Sequence, residues 1–263
     1  MTDRSGETRD PTARFSDRVK NYSRYRPSYP SEAIDVLVSA GALSPDDVIA
    51  DIGSGTGKLT ELFLRHGNTV FGVEPNPEMR DAGERTLARF PRFHSVDGRA
   101  EATGLDSSSI DVIAAGQALH WFDLKASAVE FRRVARPSGR MVIVWNDRDL
   151  EASPFMAAYE DLLRRHGTDY ELANHQRFGD GPVEAIFGEA EYQSHRLSYS
   201  QRFDRAGLRG RLVSSSYTPA SGEPGHEAML RDLDALFDAH QHEGEVGFVY
   251  ATRLYHGRLT SGV

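Results

Sequence analysis

Between residues 48 and 145, short apolar runs alternate with stretches of helical periodicity, and that alternation leaves a chain few ways to fold. Val48–Ile52, Thr69–Val73, Phe93–Val96, Ile110–Ala115 and Met141–Trp145 read as strands. Helical patterns fall between them through Leu59, Leu62, Phe63 and Leu64, from Pro77 to about Ala88, and over 124–135, where Ala128, Phe131 and Val134 form the apolar stripe. Strands joined through helices run parallel by right-handed crossovers, with helices on both faces of the sheet. An earlier helix, Glu32 to about Ser39, starts after Ser31 and closes at Gly41.

After Asn146 the rhythm changes. Residues 152–167 look helical, and 168–190 look irregular around Gly179, Gly181 and Pro182. A long strand, Tyr192–Phe203, is followed by helices near Leu208–Val213 and His226–His240, and 246–256 alternates as a last strand. The expected organisation is an N-terminal arm or lid (1–30), a core (31–147), an inserted helical cap (148–190) and closing strands and helices of the same α/β domain (191–263).

Composition matters mainly for what it excludes. The formal charge of −8 argues against nucleic acid as a partner bound through its phosphates. Arg205, Arg209 and Arg211 make a local basic strip that reads best as a solvated helix face. The absence of cysteine removes thiolate nucleophiles and Cys-ligated zinc. His240, His242 and Glu243 have no metal-site spacing, so no metal is expected. With no apolar signal region and no membrane-length stretch, a cytoplasmic location is the default.

The first strand ends in Asp51 and runs into Gly53-x-Gly55-x-Gly57. Glycines at this turn let backbone approach a ligand closely. A dinucleotide site wants Gly-x-Gly-x-x-Gly, and Lys58 stands where its third glycine would be. A carboxylate at Asp51 repels a pyrophosphate but accepts a hydrogen bond from an ammonium group. Glu74, ending the second strand, is placed to accept both hydroxyls of a ribose. A ligand with an amino-acid end and a ribose fits these positions better than a dinucleotide.

D-I-G-S-G-T-G (51–57), E-P-N-P-E-M (74–79), G-R-A-E-A-T-G-L (98–105), I-D-V-I-A-A-G-Q-A-L-H-W-F-D (110–123) and R-R-V-A-R-P-S-G-R (132–140) together resemble the class I S-adenosyl-L-methionine (SAM) methyltransferases. More narrowly, Y-R-P-S-Y-P (25–30), A-L-H-W-F (118–122), S-S-S-Y-T-P (214–219) and Y-A-T-R-L-Y (250–255) resemble a small-molecule branch that includes trans-aconitate-type methyltransferases. The resemblance implies a Rossmann-like seven-stranded sheet in the order 3-2-1-4-5-7-6, its last strand antiparallel. It also implies SAM as cofactor and S-adenosyl-L-homocysteine as product. By the same resemblance, Gly53, Gly55 and Gly57 pass under the methionine moiety and Asp51 lies beside its ammonium. Glu74 holds the ribose hydroxyls, Pro75 is a further cofactor-binding position, Met79 packs on the adenine, and Arg99–Ala100–Glu101 meets its edge. Gln117 and Ala118 run past the sulfonium. Arg99 departs from the family pattern, which often has Asp there.

His120 and Trp121, just past the fourth strand, are the catalytic candidates, with His120 the best base where a nucleophile arrives protonated. Each also has an ordinary reading, a structural histidine and a sheet-capping tryptophan. Tyr22, Arg26, Trp145, Asn146 and Tyr217 are candidates for the substrate wall, and residues 15–30 for a lid over the bound cofactor. Loss of the Glu74 side chain is expected to leave the glycine loop intact. The expected activity is methyl transfer to O, N or S, a carboxylate included, of a small molecule. A SAM-binding protein or non-methylating SAM enzyme is the alternative. A nucleic-acid methyltransferase would more often show Asn/Asp-Pro-Pro-Tyr where this chain has Gly116-Gln117-Ala118-Leu119-His120.

Overall fold

The computed structural model describes residues 24–168, 170, 181–188 and 191–259. Tyr22 and residues 15–23 of the arm lie outside the described residues. In chain order the elements are α1 (Glu32–Ser39), β1 (Val48–Ile52), α2 (Lys58–His66), β2 (Thr69–Val73), α3 (Pro77–Leu87), β3 (Phe93–Val96), β4 (Ile110–Gly116), α4 (Leu124–Val134) and β5 (Ala135–Arg148). Then follow α5 (Pro154–His166), α6 (Gly181–Phe187), β6 (Tyr192–Phe203), α7 (Arg205–Val213), α8 (His226–His240) and β7 (Val246–Arg258). The seven strands form one sheet, ordered β3-β2-β1-β4-β5-β7-β6. β1 to β5 pair in parallel, and β7 runs antiparallel to both β5 and β6. This is the expected Rossmann-like sheet.

Alternation along the central strands feeds two apolar layers. Ala50, Ile52, Ile113, Ala115, Met141 and Ile143 face a cluster closed by Phe131 of α4 and Ile186 of α6. Ile49, Val112, Ala114, Val142 and Val144 face the opposite cluster, closed by Leu37 of α1 and Phe63 of α2. A third cluster joins α5, α7 and α8 to the start of β7 through Tyr159, Leu212, Leu233 and Phe248. It forms the cap.

Two elements differ from the sequence reading. β5 begins at Ala135 rather than Met141, because the ladder with β4 steps from Ile110↔Ala135 to Val112↔Arg140. Residues 136–139 bulge out between those pairs, and Pro137, which has no N–H to give, sits in the bulge. In the stretch expected to be irregular, α6 places Val183, Ile186 and Phe187, at i, i+3 and i+4, in the sheet cluster. Pro182 serves as a helix-initiating residue there. Among the described residues, no helix is long and apolar enough to cross a membrane, and no metal-type cluster of His, Cys, Asp and Glu occurs.

Candidate functional site

Sheet order reverses between β1 and β4, so the carboxyl ends of these strands open a crevice rather than being bridged by a crossover. The glycine turn forms its floor. Gly53 and Ser54 donate backbone N–H groups to Val73 O at 2.8 and 3.1 Å, fastening the turn to the end of β2. Gly53 has φ +68°, and a Cβ there would lie 2.7 Å from the Ala118 Cβ. Conformation and space both demand glycine.

Two buried acids flank the turn. Asp51, 1% exposed, accepts the Thr60 hydroxyl on Oδ2 at 2.6 Å. Its Oδ1 is buried without a hydrogen-bond partner among the described residues. Burial pushes the Asp51 carboxyl up to about 7, against the lowering effect of Thr60. Glu74 accepts the Gly55 N–H on Oε2 and the Asn76 N–H on Oε1, each at 2.9 Å. Burial raises its pKa as well. Glu74 therefore staples the glycine loop to β2, which corrects the expectation that the loop is independent of this side chain. Each carboxylate oxygen keeps acceptor capacity beyond its one backbone donor.

The adjacent wall comes from the ends of β4 and β5. Gln117 has φ 56°, an uncommon conformation for a residue with a side chain. Its Nε2 donates to Asn146 O at 3.1 Å, and its Oε1 is buried without a partner among the described residues. Asn146 donates from Nδ2 to Ser28 O at 2.8 Å and accepts the Thr252 hydroxyl on Oδ1 at 2.6 Å. His120 sits on a single 3-10 turn, Leu119–Trp121, its ring centroid 4.6 Å from Trp121 and 5.4 Å from Trp145. Glu101 accepts the Asp123 N–H at 2.8 Å, tying the 99–101 turn to the start of α4.

The far wall contains residues that sequence reasoning missed. Arg148, at the end of β5, lies 3.0 Å from Glu160 of α5 and donates to Tyr170 and, at 3.3 Å, to the Tyr217 hydroxyl. Arg211 of α7 is buried, with Nε donating to the Tyr250 hydroxyl at 3.0 Å. Of the expected solvated strip, only Arg205 and Arg209 behave so, pairing with Asp238 and Asp234 of α8. Arg211 is two residues past Arg209, about 200° around the helix, and so points inward. That 3.6-residue phase was the available signal.

These walls enclose a cavity of about 490 Å³. Asp51, Gly53, Gly55, Glu74, Pro75, Met79, Arg99, Ala100, Glu101, Gln117, Ala118, His120, Trp121, Arg26, Asn146 and Tyr217 all line it, together with Arg148, Tyr170, Arg211 and Tyr250. Two candidates stand behind the lining. Gly57 turns its open side to Leu87, and Trp145 is buried in the sheet cluster behind His120. Tyr22 lies outside the described residues.

Residues 50–143 match the model of a family described as a methyltransferase domain. An uncharacterized methyltransferase of Mycobacterium bovis is 43% identical over 159 residues, 60% of this chain and 62% of that protein. A methyltransferase-like protein of Schizosaccharomyces pombe, also uncharacterized, is 30% identical over 59% of each chain. The match thus spans less than two thirds of the length of either relative. A candidate type II methyltransferase of Anaeromyxobacter dehalogenans has the same fold, with TM-score 0.64 and 24% identity over 90% of this chain and 100% of its own. The matched stretch, residues 50–143, runs from β1 into β5 and contains the glycine turn that floors the cavity.

Proposed function

We propose that this domain binds SAM at the carboxyl ends of β1, β2 and β4 and methylates an O, N or S atom of a small molecule, leaving S-adenosyl-L-homocysteine. One observation carries the reading: Asp51, which lines a cavity floored by glycine, has a buried carboxylate oxygen without a partner among the described residues. An ammonium group satisfies it, and the negative phosphates of a dinucleotide do not. Glu74, with acceptor capacity left on both oxygens, would hold a ribose diol. Met79 would pack against the base, with Ala100 beside it.

When bound, SAM supplies a methyl group on a sulfonium, a good leaving group for in-line displacement. The chain's own work is to orient the acceptor and exclude water. Gln117 and Asn146 would direct polar groups at the end of β4, and His120 would take a proton at its ring where the acceptor carries one. Trp121 and Tyr29 would shield that end from solvent. The cap and the arm, which supply Tyr217 and Arg26 to the cavity, would select a small-molecule acceptor.

Calorimetry with S-adenosyl-L-homocysteine and NAD tests the assignment directly. The homocysteine compound should bind at micromolar affinity, about −8 kcal/mol, and NAD should give no heat. Comparable NAD binding would overturn it. Mass spectrometry of turnover with methyl-labelled SAM then identifies the product.

A further inference from the structure

Arg211 has no part in the chemistry above, yet it lines the cavity while being only 2% exposed. Its hydrogen-bond partners are neutral: the Tyr250 hydroxyl at 3.0 Å and Ser215 Oγ at 3.3 Å, with the Phe248 ring 5.2 Å from its Cζ. It pairs with no carboxylate among the described residues. A buried cation held by neutral groups alone is unfavourable unless something brings a negative charge to it.

The neighbouring carboxylate is engaged elsewhere. Glu160 already faces Arg148 at 3.0 Å, accepts from Tyr170, and has the exposed Arg164 at 3.8 Å. Arg26 brings another guanidinium to the cavity, donating to Ser214 O at 3.3 Å. Tyr217 stands among these cations: Arg148 of β5 donates to its hydroxyl, Arg26 and Arg211 of α7 act on it, the Tyr170 ring lies 5.0 Å from its own, and Tyr159 of α5 and Tyr250 of β7 belong to the same cluster. Burial alone would raise its phenol. Arg148, Arg26 and Arg211 outweigh burial and bring it down to about 7.

We propose that Arg211 and Arg148 form a subsite for an anionic group, a carboxylate or a phosphate, of the methyl acceptor, with Tyr217 as the resident counter-charge. Placing that anion on the acceptor rests on the methyltransferase reading; the subsite itself does not. An arriving anion takes over the negative charge that the Tyr217 phenolate provides. The phenolate then takes one proton from solvent and donates it in a hydrogen bond to the anion. Binding is therefore proton-linked, a signature that a purely structural arginine would not give.

The test is calorimetry on the full chain at pH 8, saturated with S-adenosyl-L-homocysteine, in two buffers of different ionisation enthalpy. The probes are succinate and inorganic phosphate, with succinamide as the neutral control. One of the two anions should bind with uptake of up to about 0.9 proton, and succinamide should not bind. Which anion binds identifies the group. Arg211→Gln should weaken binding at least about tenfold, and Arg211→Lys should recover part of it. Tyr217→Phe should keep anion binding and lose the proton uptake. Absence of binding by both anions, equal affinity in Arg211→Gln, or binding without proton uptake would each overturn the subsite. Should Arg211→Gln not fold, the wild-type and Tyr217→Phe measurements still decide. Cofactor binding without an anion response sinks the subsite alone, and an anion response without cofactor binding sinks the SAM assignment alone.

Discussion

Asp51 and Glu74 are two carboxylates held away from water, and their surroundings make different predictions for each. Asp51 titrates at about 7 because burial penalises its charge, Thr60 offsets only part of that, and Glu74 adds repulsion. An ammonium placed against Oδ1 favours the ionised form, so the ligand must bind the charged fraction. That fraction falls from about one half at pH 7 to about one tenth at pH 6, so S-adenosyl-L-homocysteine affinity should drop about fivefold over that interval. It should level off above about pH 8. Calorimetry from pH 5.5 to 8.5 measures this, and a flat profile would put the ammonium elsewhere. Asp51→Asn should flatten the profile and weaken binding at every pH. Glu74→Ala acts on the fold as well as the ligand, because the Gly55 and Asn76 N–H groups lose their acceptor. Each buried donor left unpaired costs about 1–3 kcal/mol. Its melting temperature without ligand should therefore fall along with cofactor affinity; an unchanged melting temperature would show that the loop finds other acceptors.

Among the elements, the described end of the arm is already docked as a wall. Tyr29 packs over Gly116, where a Cβ would lie 2.5 Å from the phenol oxygen. Ser28 is held by Asn146, and the Tyr25 ring lies against the bare backbone of Gly210 on α7. A side chain at Gly210 has to displace that ring. Gly210→Leu should therefore speed tryptic cleavage after Arg24 severalfold while leaving far-UV circular dichroism unchanged. Unaltered cleavage would show that Tyr25 does not anchor the arm. How much was legible in the sequence follows from the same kind of locality. β1, β2 and β3 match their expected bounds because short apolar runs there end at turn residues. The glycine-floored end of the cavity was legible because Asp51, the glycines and Glu74 lie within 24 residues of one another, on adjacent strand ends. The far wall was not. Arg148, Tyr170, Arg211 and Tyr250 come from four separate segments, and each alone looks like an ordinary surface or strand residue. Only the antiparallel placement of β7 between β5 and β6 brings them together.

At the scale of the molecule, that same strand decides whether cap and sheet are one unit or two. β7 starts in the cap cluster with Val246, Phe248 and Tyr250. It continues into the sheet, where Leu254 and Tyr255 enter the two face clusters. Nine register pairs join it to β5 and twelve to β6. The cap therefore cannot loosen its grip on Phe248 without disturbing a strand that lies inside the sheet. Phe248 is fully buried, with ring contacts to Phe155 and Tyr159 of α5, to Phe203 and to Tyr250. Its truncation to alanine should cost about 3–5 kcal/mol, since the rigid rings around it cannot close the cavity left behind. Were the cap a separate folding unit, that loss would appear as an early transition, with the sheet melting later at its original temperature. Because β7 is shared, urea unfolding of Phe248→Ala should remain one transition. Near-UV and far-UV circular dichroism should coincide and both shift to lower urea. The same variant should respond to S-adenosyl-L-homocysteine with a rise in midpoint, as the floor proposed for that ligand, at β1, β2 and β4, contains no atom of the cap. Two separated transitions would show instead that the cap can leave while the glycine floor of the cavity stays folded.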